Sequence, residues 1–420
     1  MRPVSLTPRR AQNLTVAILF LASICCICGC GGSSSTRSSQ QTPPPPAPTM
    51  ATVTFATPNS APLPSAVATS TGDLSTWTLA TVTSGQVPIN LGTGKNYGVA
   101  FYCNNINLMI YEFAATDTLT PTFSCGSSSP FLTVTFNYAV TIPGASTAEI
   151  DVELPAGYGA TSSTLSTLTG STQITTAPSG SVDTILKAFD SSGFLLGVEI
   201  LRAQSYTANQ TVTLPTLSVS NTGVASVTAA AIPSGWTVSY PMNYVLADGA
   251  RFQLGTQSNY GTIPASMSMA GDYYTGGAYA TQGANSVSAA AATNQPPASV
   301  TLPAPMTFTP PTPADDPSFV FSYPTSGFTT TGTVVYVAGI NWSTPVYVTM
   351  VGTANAVGAN PTLKIPNLAP LSALFPNLPQ GTTVNWNVGV IVENPLTLSN
   401  TPVLPFSAQD VTTSGTYSAP

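Results

Sequence analysis

The spacing of apolar residues constrains this chain most. From Met50 onward they alternate with polar residues or form short runs, as in FLTVTFNYAV from Phe131 and VNWNVGVIV from Val384. Alternation with a period of two puts side chains on opposite faces of an extended strand, whereas a helix needs apolar residues three or four positions apart. Gly, Pro, Asn and Ser interrupt the runs, as turns between strands require. The chain is therefore predicted to be all-β.

The clearest predicted hairpin lies in TILKAFDSSGFLLGVEILR, which begins at Thr184. The tetrapeptide Asp190-Ser191-Ser192-Gly193 has turn-forming residues between two matched apolar stretches. Only a segment around Leu371 suggests a short helical turn. A chain made of many short strands buries its apolar faces by packing sheet on sheet. We therefore expect several consecutive β-sandwich modules of immunoglobulin-like or transthyretin-like type.

The N-terminus has the pattern of an export signal. Arg2, Arg9 and Arg10 precede an uncharged, mainly apolar run from Leu14 to Gly29. A basic region followed by an apolar region and small residues is typical of a secretory signal. The run is shorter than the ~20 residues of a membrane-spanning helix, and no later segment is long and apolar enough to span a membrane.

Four cysteines crowd the end of this run, in the sequence CCICGC. Their C-C-x-C-x-C spacing does not match paired CxxC metal sites. The segment Ile27-Cys28-Gly29-Cys30 resembles the lipobox of bacterial lipoproteins. That resemblance implies cleavage after Gly29, lipidation of Cys30 and an anchor in the cell membrane or outer membrane. A plain signal peptide or an uncleaved anchor helix stays open as an alternative.

Proline-rich breaks divide the rest of the chain. A Ser/Gly/Pro-rich linker follows the signal and is expected to act as a tether. The predicted segments are a signal peptide at 1–29, the linker at 30–49, a module containing a cysteine pair at 50–128, a β-sandwich at 129–218, a β-rich module at 219–312 and a C-terminal immunoglobulin-like module at 313–420.

The second module carries a further resemblance. From Phe131 to Pro215 the chain contains VELPAG, ILKAFDSSGFLLG and VTLP. This segment resembles the carboxypeptidase-regulatory or transthyretin-like modules of bacterial surface proteins, and the wider chain is similar to uncharacterised secreted lipoproteins. The resemblance implies a β-sandwich fold and a location in the periplasm or at the cell surface, and it brings no catalytic residues.

Composition excludes several classes of function. Only 6% of residues are charged, the formal net charge is −6 and there is no histidine. A nucleic-acid partner is disfavoured because its recognition needs a basic patch. Without histidine, Ser-His-Asp and Cys-His mechanisms and histidine-ligated metals are excluded. Hydrolytic chemistry would have to use carboxylates.

Two cysteines, Cys103 and Cys125, lie beyond the signal. Exported proteins meet an oxidising compartment where such pairs usually form disulfides. Closing this loop would stabilise the fold by roughly 3 kcal/mol in the chain-entropy model. Two free buried thiols are the alternative.

Three acids alternate along one predicted strand: Glu149, Asp151 and Glu153. Residues two apart share a face, so Ile150 and Val152 are expected to point into the core. The three carboxylates are weak candidates for a Ca²⁺ site. The favoured interpretation is a solvated outer face of a sandwich strand. The pair Asp315-Asp316, between prolines, is expected in an exposed linker.

Asp272, Tyr273 and Tyr274 are weak candidates for ligand binding. They lie in GDYYTGG, and exposed aromatic faces can stack on sugar rings while an acid accepts hydrogen bonds from hydroxyls. The plainer interpretation puts one tyrosine in the core and the other in solvent. Trp342 and Trp386 are expected in the core.

The sequence thus predicts a lipid-anchored cell-envelope protein without a cofactor. Its predicted role is non-catalytic: structural, adhesive or ligand-binding, with glycans or other envelope proteins as partners. The alternatives are an array of carbohydrate-binding modules and a carboxylate-dependent glycoside hydrolase, which would need two carboxylates facing each other across a sugar.

Overall fold

The computed structural model describes residues 50–57, 62–125, 132–154, 160–176, 181–314, 316–322, 327–342, 346–394 and 404–419. The predicted signal peptide, Cys30 and the linker lie outside these residues. The described part is built almost entirely of strands, which confirms the all-β, multi-module class. None of its helices has the length and apolar character needed to span a membrane.

The secondary structure of this part comprises 29 strands and one short helix. In chain order the strands are β1 (Met50–Phe55), β2 (Ala66–Thr71), β3 (Trp77–Ala80), β4 (Gln86–Asn90), β5 (Asn96–Cys103), β6 (Asn107–Ala114), β7 (Thr122–Phe123), β8 (Leu132–Ala139), β9 (Thr147–Glu153), β10 (Ala160–Leu165), β11 (Thr169–Thr176), β12 (Val182–Phe189), β13 (Leu195–Gln204), β14 (Thr211–Thr213), β15 (Gly223–Ser226), β16 (Thr228–Ala230), β17 (Thr237–Ser239), β18 (Met242–Val245), β19 (Arg251–Gly255), β20 (Asn259–Thr262), β21 (Tyr273–Gln282), β22 (Asn285–Thr293), β23 (Ser299–Thr301), β24 (Ser318–Val320), β25 (Thr333–Trp342), β26 (Val346–Thr353), β27 (Thr362–Lys364), β28 (Thr383–Asn394) and β29 (Phe406–Ser418).

One large sheet joins strands from three of the four predicted modules. Within the described residues it has 13 strands, in the order β19-β18-β21-β22-β29-β28-β25-β26-β6-β5-β2-β3, with β17 paired to β21. The first and last modules meet where β26 and β6 pair in parallel. The modules at 50–128, 219–312 and 313–420 therefore share a sheet. Local sequence does not show such pairing, because it joins strands that are far apart in the chain.

The second module forms a sandwich of its own. One sheet has the order β10-β9-β12-β13 and the other β11-β8-β14. Val134, Ile150 and Leu186 lie in the core between them. The predicted hairpin is confirmed, because β12 pairs with β13 and Oδ1 of Asp190 accepts hydrogen bonds from the backbone N–H groups of Ser192 and Phe194 at 2.8 and 2.9 Å.

The large sheet is covered on both faces around β5 and β6. On one face Val99 and Tyr111 pack with the small sheet β4-β1-β7. On the other face Ala100 and Ile110 pack under a layer that contains the β24-β27 pair. Alternate residues of β5 and β6 enter two different cores, as the period of two requires. The two smaller pairs β15-β20 and β16-β23 complete the described sheets.

The short helix α1 (Ala354–Val357) follows β26 directly. Oγ1 of Thr353 accepts a hydrogen bond from the N–H of Ala356 at 3.3 Å and so caps the first turn. The sequence pattern did not predict this helix, which is a single turn long. Around Leu371, where a helical turn was expected, the chain makes a hydrogen-bonded turn from the N–H of Leu371 to Leu368 O.

Candidate functional site

The predicted disulfide is present. Cys103, at the end of β5, is bonded to Cys125, two residues after β7, and their Cα atoms are 5.1 Å apart. Both residues are buried in the core between the large sheet and β4-β1-β7. The bond therefore ties this small sheet to the strands that it covers.

The three acids of β9 do not form a solvated face, and that prediction is wrong. Ile150 and Val152 are in the core as expected, but Asp151 and Glu153 are only 3% and 4% exposed on the opposite face. That face is covered by the third module, whose β19 approaches it. The reason is tertiary: alternation identifies the two faces of a strand but does not show what covers the second face.

Lys187, on the adjacent β12, neutralises two of these acids. Its Nζ lies 2.5 Å from Oδ2 of Asp151 and 3.2 Å from Oε2 of Glu149, and it donates to Gln253 O at 3.3 Å. Burial lowers the pKa of Lys187, but the charges of Asp151 and Glu149 outweigh that effect and raise it. Lys187 therefore remains charged inside the contact between the second and third modules.

Burial also raises the pKa of Asp151 and of Glu153. Neighbouring Asp183 is affected in the same way, chiefly by burial, and its pKa rises to about 6. Among the residues that the structure describes, no group of three or more Cys, Asp and Glu side chains is arranged to hold a metal ion. Glu149 and Asp151 thus serve as partners of Lys187.

Asp272, Tyr273 and Tyr274 are buried in the fold. The two tyrosines are 4% and 7% exposed, so neither faces solvent and neither offers the free ring face that sugar stacking requires. The reason is that each ring enters a core: Tyr274 packs with Ile185 and Leu195 of the second module, and Tyr273 packs with Val245 and Phe406 on the other face.

The carboxylate of Asp272 has a full set of partners. It forms an ion pair with Arg202 at 2.6 Å, accepts a hydrogen bond from the hydroxyl of Tyr244 at 2.9 Å, and accepts further bonds from the backbone N–H groups of Ala247 and Met269 at 2.9 and 2.8 Å. This network joins the second module to the third. It leaves the carboxylate no free capacity for a ligand.

Trp342 and Trp386 are core residues, as predicted, at 6% and 7% exposure. Asp316 lies outside the core and pairs with Lys364 across 2.5 Å, with both side chains largely exposed. Asp315 lies outside the described residues. The pair formed by Asp316 and Lys364 stands on the wall of a cleft that sequence reasoning did not identify.

This cleft, here called the Glu112 cleft, has a volume of about 630 Å³, which lies within the range of ordinary small-molecule sites. Its floor is formed by β5, β6 and β26 of the large sheet. Its walls are the turn at 72–75, helix α1, strand β27 and the segment at 366–371. Nδ2 of Asn96 donates to Ala356 O at 2.8 Å and holds the helix against the floor.

A cross-strand row of residues runs along the floor. Trp77 is paired with Ser70, Ser70 with Gly98, Gly98 with Glu112, and Glu112 with Gly352. Directly paired residues point to the same face of a sheet. Two of the positions next to Glu112 are glycines, and side chains from other elements lie over them. Val357 and Leu363 approach Gly352, and the space over Gly98 lies on the side of Trp77.

The indole ring of Trp77 fills part of that space. A Cβ atom added to Gly98 would lie 2.8 Å from Cη2 and 3.2 Å from Cζ2 of the indole. The ring therefore passes over Ser70 and rests on the backbone of Gly98, next to the position of Glu112. Trp77 is half-buried, so part of the ring faces the cleft.

Glu112 is the unusual residue of this site. Its side chain is 6% exposed, and it has no hydrogen bond or ion pair with the part of the chain that the structure describes. Burial raises its pKa to about 7. The other charged residues on the cleft are Asp73, whose pKa is lowered by hydrogen bonds from Ser75, and the paired Asp316 and Lys364.

The sequence held a signal for Glu112. In NLMIYEF the period of two puts Glu112 on the same face as Leu108 and Ile110, and both of these are buried. A lone acid at a core-facing position lowers the stability of the fold unless it has a partner, so such an acid is a candidate functional residue. That signal identifies the residue, but the cleft beside it depends on the packing of distant segments.

Comparisons with known proteins do not assign the chain to a group. No protein-family model matches it, and no curated protein matches it. Among solved structures, the Bacillus anthracis TIE protein matches with 8% identity and a TM-score of 0.15, over 56% of this chain and 45% of that chain. The match thus covers less than half of that protein, and similarity at this level indicates neither fold nor function.

Proposed function

We propose that this chain is an exported, lipid-anchored cell-envelope protein that binds a small ligand in the Glu112 cleft and has no catalytic activity. The observation that carries the ligand-binding role is the buried carboxyl of Glu112, which lines the cleft and has no partner among the residues that the structure describes. A buried polar group without a partner costs free energy. A bound ligand that supplies the partner would recover that cost.

Export and anchoring are supported by the sequence features around Cys30 and by the disulfide, which is typical of proteins from oxidising compartments. Resemblance to carboxypeptidase-regulatory-like modules adds a further expectation of a surface or periplasmic location. The strands β5, β6 and β26 of the large sheet would give the cleft a hydrogen-bonded floor.

The anchor is tested by cell fractionation and intact mass. We expect the wild-type chain in the membrane fraction, with diacylglyceryl and acyl groups on a chain that begins at Cys30. The Cys30→Ser variant should appear in the soluble exported fraction. A Cys30→Ser protein that stays bound to the membrane would refute the lipid anchor.

Ligand binding is tested by thermal unfolding of the full-length chain against a panel of neutral saccharides, amino acids, dicarboxylates and choline. A ligand that binds the folded state raises the midpoint in proportion to its saturation. We expect at least one compound to stabilise the wild type and to lose that effect in Glu112→Gln. If no class of compound does so, the cleft is not a binding site.

A glycoside hydrolase remains the second candidate, and one observation favours it. A carboxyl with a pKa of about 7 beside an indole ring is suited to act as a general acid near neutral pH. The test is activity on a panel of polysaccharides. Activity that is lost in Glu112→Gln would replace the non-catalytic proposal.

A further inference from the structure

The burial of Glu112 indicates which charge a ligand at this site should carry. An ionised carboxylate at 6% exposure has lost most of its hydration, and no cationic side chain among the described residues pairs with it. Attraction between opposite charges is strong at such a site because water screens it weakly. A positively charged ligand would therefore gain more from Glu112 than a neutral ligand that only donates a hydrogen bond.

The remaining charges of the cleft favour a cation as well. Lys364 is bound to Asp316 at 2.5 Å, so its charge is compensated. Asp73 stays acidic at the rim, where its carboxylate accepts hydrogen bonds from the N–H and hydroxyl of Ser75 at 3.1 and 2.8 Å. With Glu112 ionised, the lining carries more negative than positive charge, and an anionic ligand would be repelled.

The indole of Trp77 narrows the class of cation. An indole face attracts alkylammonium groups through its quadrupole, and the attraction is largest where water is excluded. A metal ion would need several oxygen ligands, and the described residues provide no such group. The cleft is also far larger than an ion, at about 630 Å³, and has apolar lining from Met350 and Leu371.

We infer that the Glu112 cleft binds a small organic cation carrying an alkylammonium group, which lies between the carboxylate of Glu112 and the indole face of Trp77. This inference rests on the proposed ligand-binding function and specifies the class of ligand. The two residues contribute to binding in different ways: Glu112 supplies a negative charge, and Trp77 supplies a flat apolar surface.

The test compares choline with 3,3-dimethylbutan-1-ol, which has the same shape and no charge. Titration calorimetry is carried out on the full-length chain in a polyoxyethylene detergent, which has neither sugar nor charge. We expect choline to bind at least about tenfold more tightly than the neutral isostere, as charge and cation–π attraction together require. Equal affinities, or no binding of choline, would overturn the inference.

The pH dependence of choline affinity provides a second test, which uses the wild-type protein alone. Choline does not titrate, whereas the pKa of Glu112 lies within the range used. A carboxyl with a pKa of about 7 is mostly protonated at pH 6 and mostly ionised at pH 8. Choline affinity should rise about tenfold between these values. An affinity independent of pH would contradict the role of Glu112.

Variants complete the experiment. Glu112→Gln should lose about tenfold or more in choline affinity, whereas Glu199→Gln, which makes the same charge change on β13 of the second module, should retain it. Equal loss in both variants would count against the site. If choline does not bind but a saccharide binds in a Glu112-dependent way, the inferred ligand class is wrong and the proposed ligand-binding function is retained. If no compound binds, both are wrong.

Phosphocholine distinguishes two sources of the same chemistry. If the natural ligand is a free cation, phosphocholine should bind more weakly than choline, because Asp73 repels the phosphate of phosphocholine. If the ligand is a lipid headgroup, the two should bind equally. Either result is consistent with recognition of the alkylammonium group, and absence of binding by both compounds contradicts it.

Discussion

The indole of Trp77 rests on Gly98 so closely that a Cβ atom at position 98 would lie 2.8 Å from the ring. A side chain at this point of β5 would push the ring away, although the backbone of Gly98 is ordinary strand. The contact fixes the ring beside the residue that pairs with Gly98 across the sheet, which is Glu112. Position 98 thus determines the shape of one side of the cleft.

Substituting Gly98→Ala should displace the indole and weaken choline binding about tenfold, because the added methyl group occupies the place where the ring contacts the backbone. Tryptophan fluorescence should shift as the ring moves toward water. Gly255→Ala is the matched control, since a Cβ there meets nothing nearer than 3.8 Å. Unchanged fluorescence and affinity in Gly98→Ala would show that the ring does not depend on this contact.

The charge of Glu112 should make the protein less stable at alkaline pH. Its pKa is about 7 in the folded state against 4.5 as an ordinary value. The folded state therefore binds more protons than the unfolded state between these values, and the free energy of unfolding falls as pH rises through them. The loss amounts to about 3 kcal/mol.

Glu112→Gln should not lose this free energy of unfolding at alkaline pH, because glutamine does not ionise. We expect it to be close to the wild type in stability at pH 4 and more stable by about 3 kcal/mol at pH 8, measured by urea unfolding at both values. Glu199→Gln provides the control with the same change in charge. A Glu112→Gln variant that is less stable than the wild type at pH 8 would mean that the carboxylate has a stabilising partner.

Lys187 should be essential to the contact between the second and third modules. Lys187→Met leaves the buried carboxylate of Asp151 without its counter-ion, which typically costs about 3–5 kcal/mol at neutral pH. The penalty should shrink as pH falls, because burial raises the pKa of Asp151 and this acid then takes up a proton.

The control for Lys187→Met is Lys364→Met. It removes the exposed pair with Asp316 and should cost less than about 1 kcal/mol. Urea unfolding at pH 7 and pH 4 measures both variants. A similar small effect at position 187 would show that its ion pairs contribute little to the contact.

The disulfide should contribute through the unfolded state. Replacing Cys103 and Cys125 together by serine opens a loop whose ends are 22 positions apart, and we expect a loss of roughly 3 kcal/mol. The double variant avoids a single free thiol that could form wrong bonds. A loss below about 0.5 kcal/mol would indicate that the unfolded chain is already compact in this region.

The sequence predicted those features that depend on local periodicity. Alternation predicted the strands, and the turn residues predicted the hairpin at Asp190. The disulfide was expected because Cys103 and Cys125 are the two cysteines beyond a predicted export signal. Ile150 and Val152 also point into the core as expected. Each of these depends on neighbours in sequence or on a general property of the compartment.

The site depends on contacts between distant segments, and there the sequence was insufficient. Burial of Asp151 and Tyr274 follows from the packing of the second and third modules against each other. Glu112 was visible as an acid on a core-facing position, but the walls of its cleft come from residues 72–75 and 354–371. No local pattern shows that these segments enclose the same space.

The ionisation of Glu112 can be measured directly in the folded protein. Carbon-13 NMR of the labelled side chain carboxyl, assigned with Glu112→Gln, follows its titration in the folded protein. We predict a midpoint near pH 7 that moves downward when choline is added, because a bound cation favours the carboxylate. A midpoint at the ordinary value of 4.5, unchanged by choline, would contradict both the buried, unpaired state of Glu112 and its role in binding.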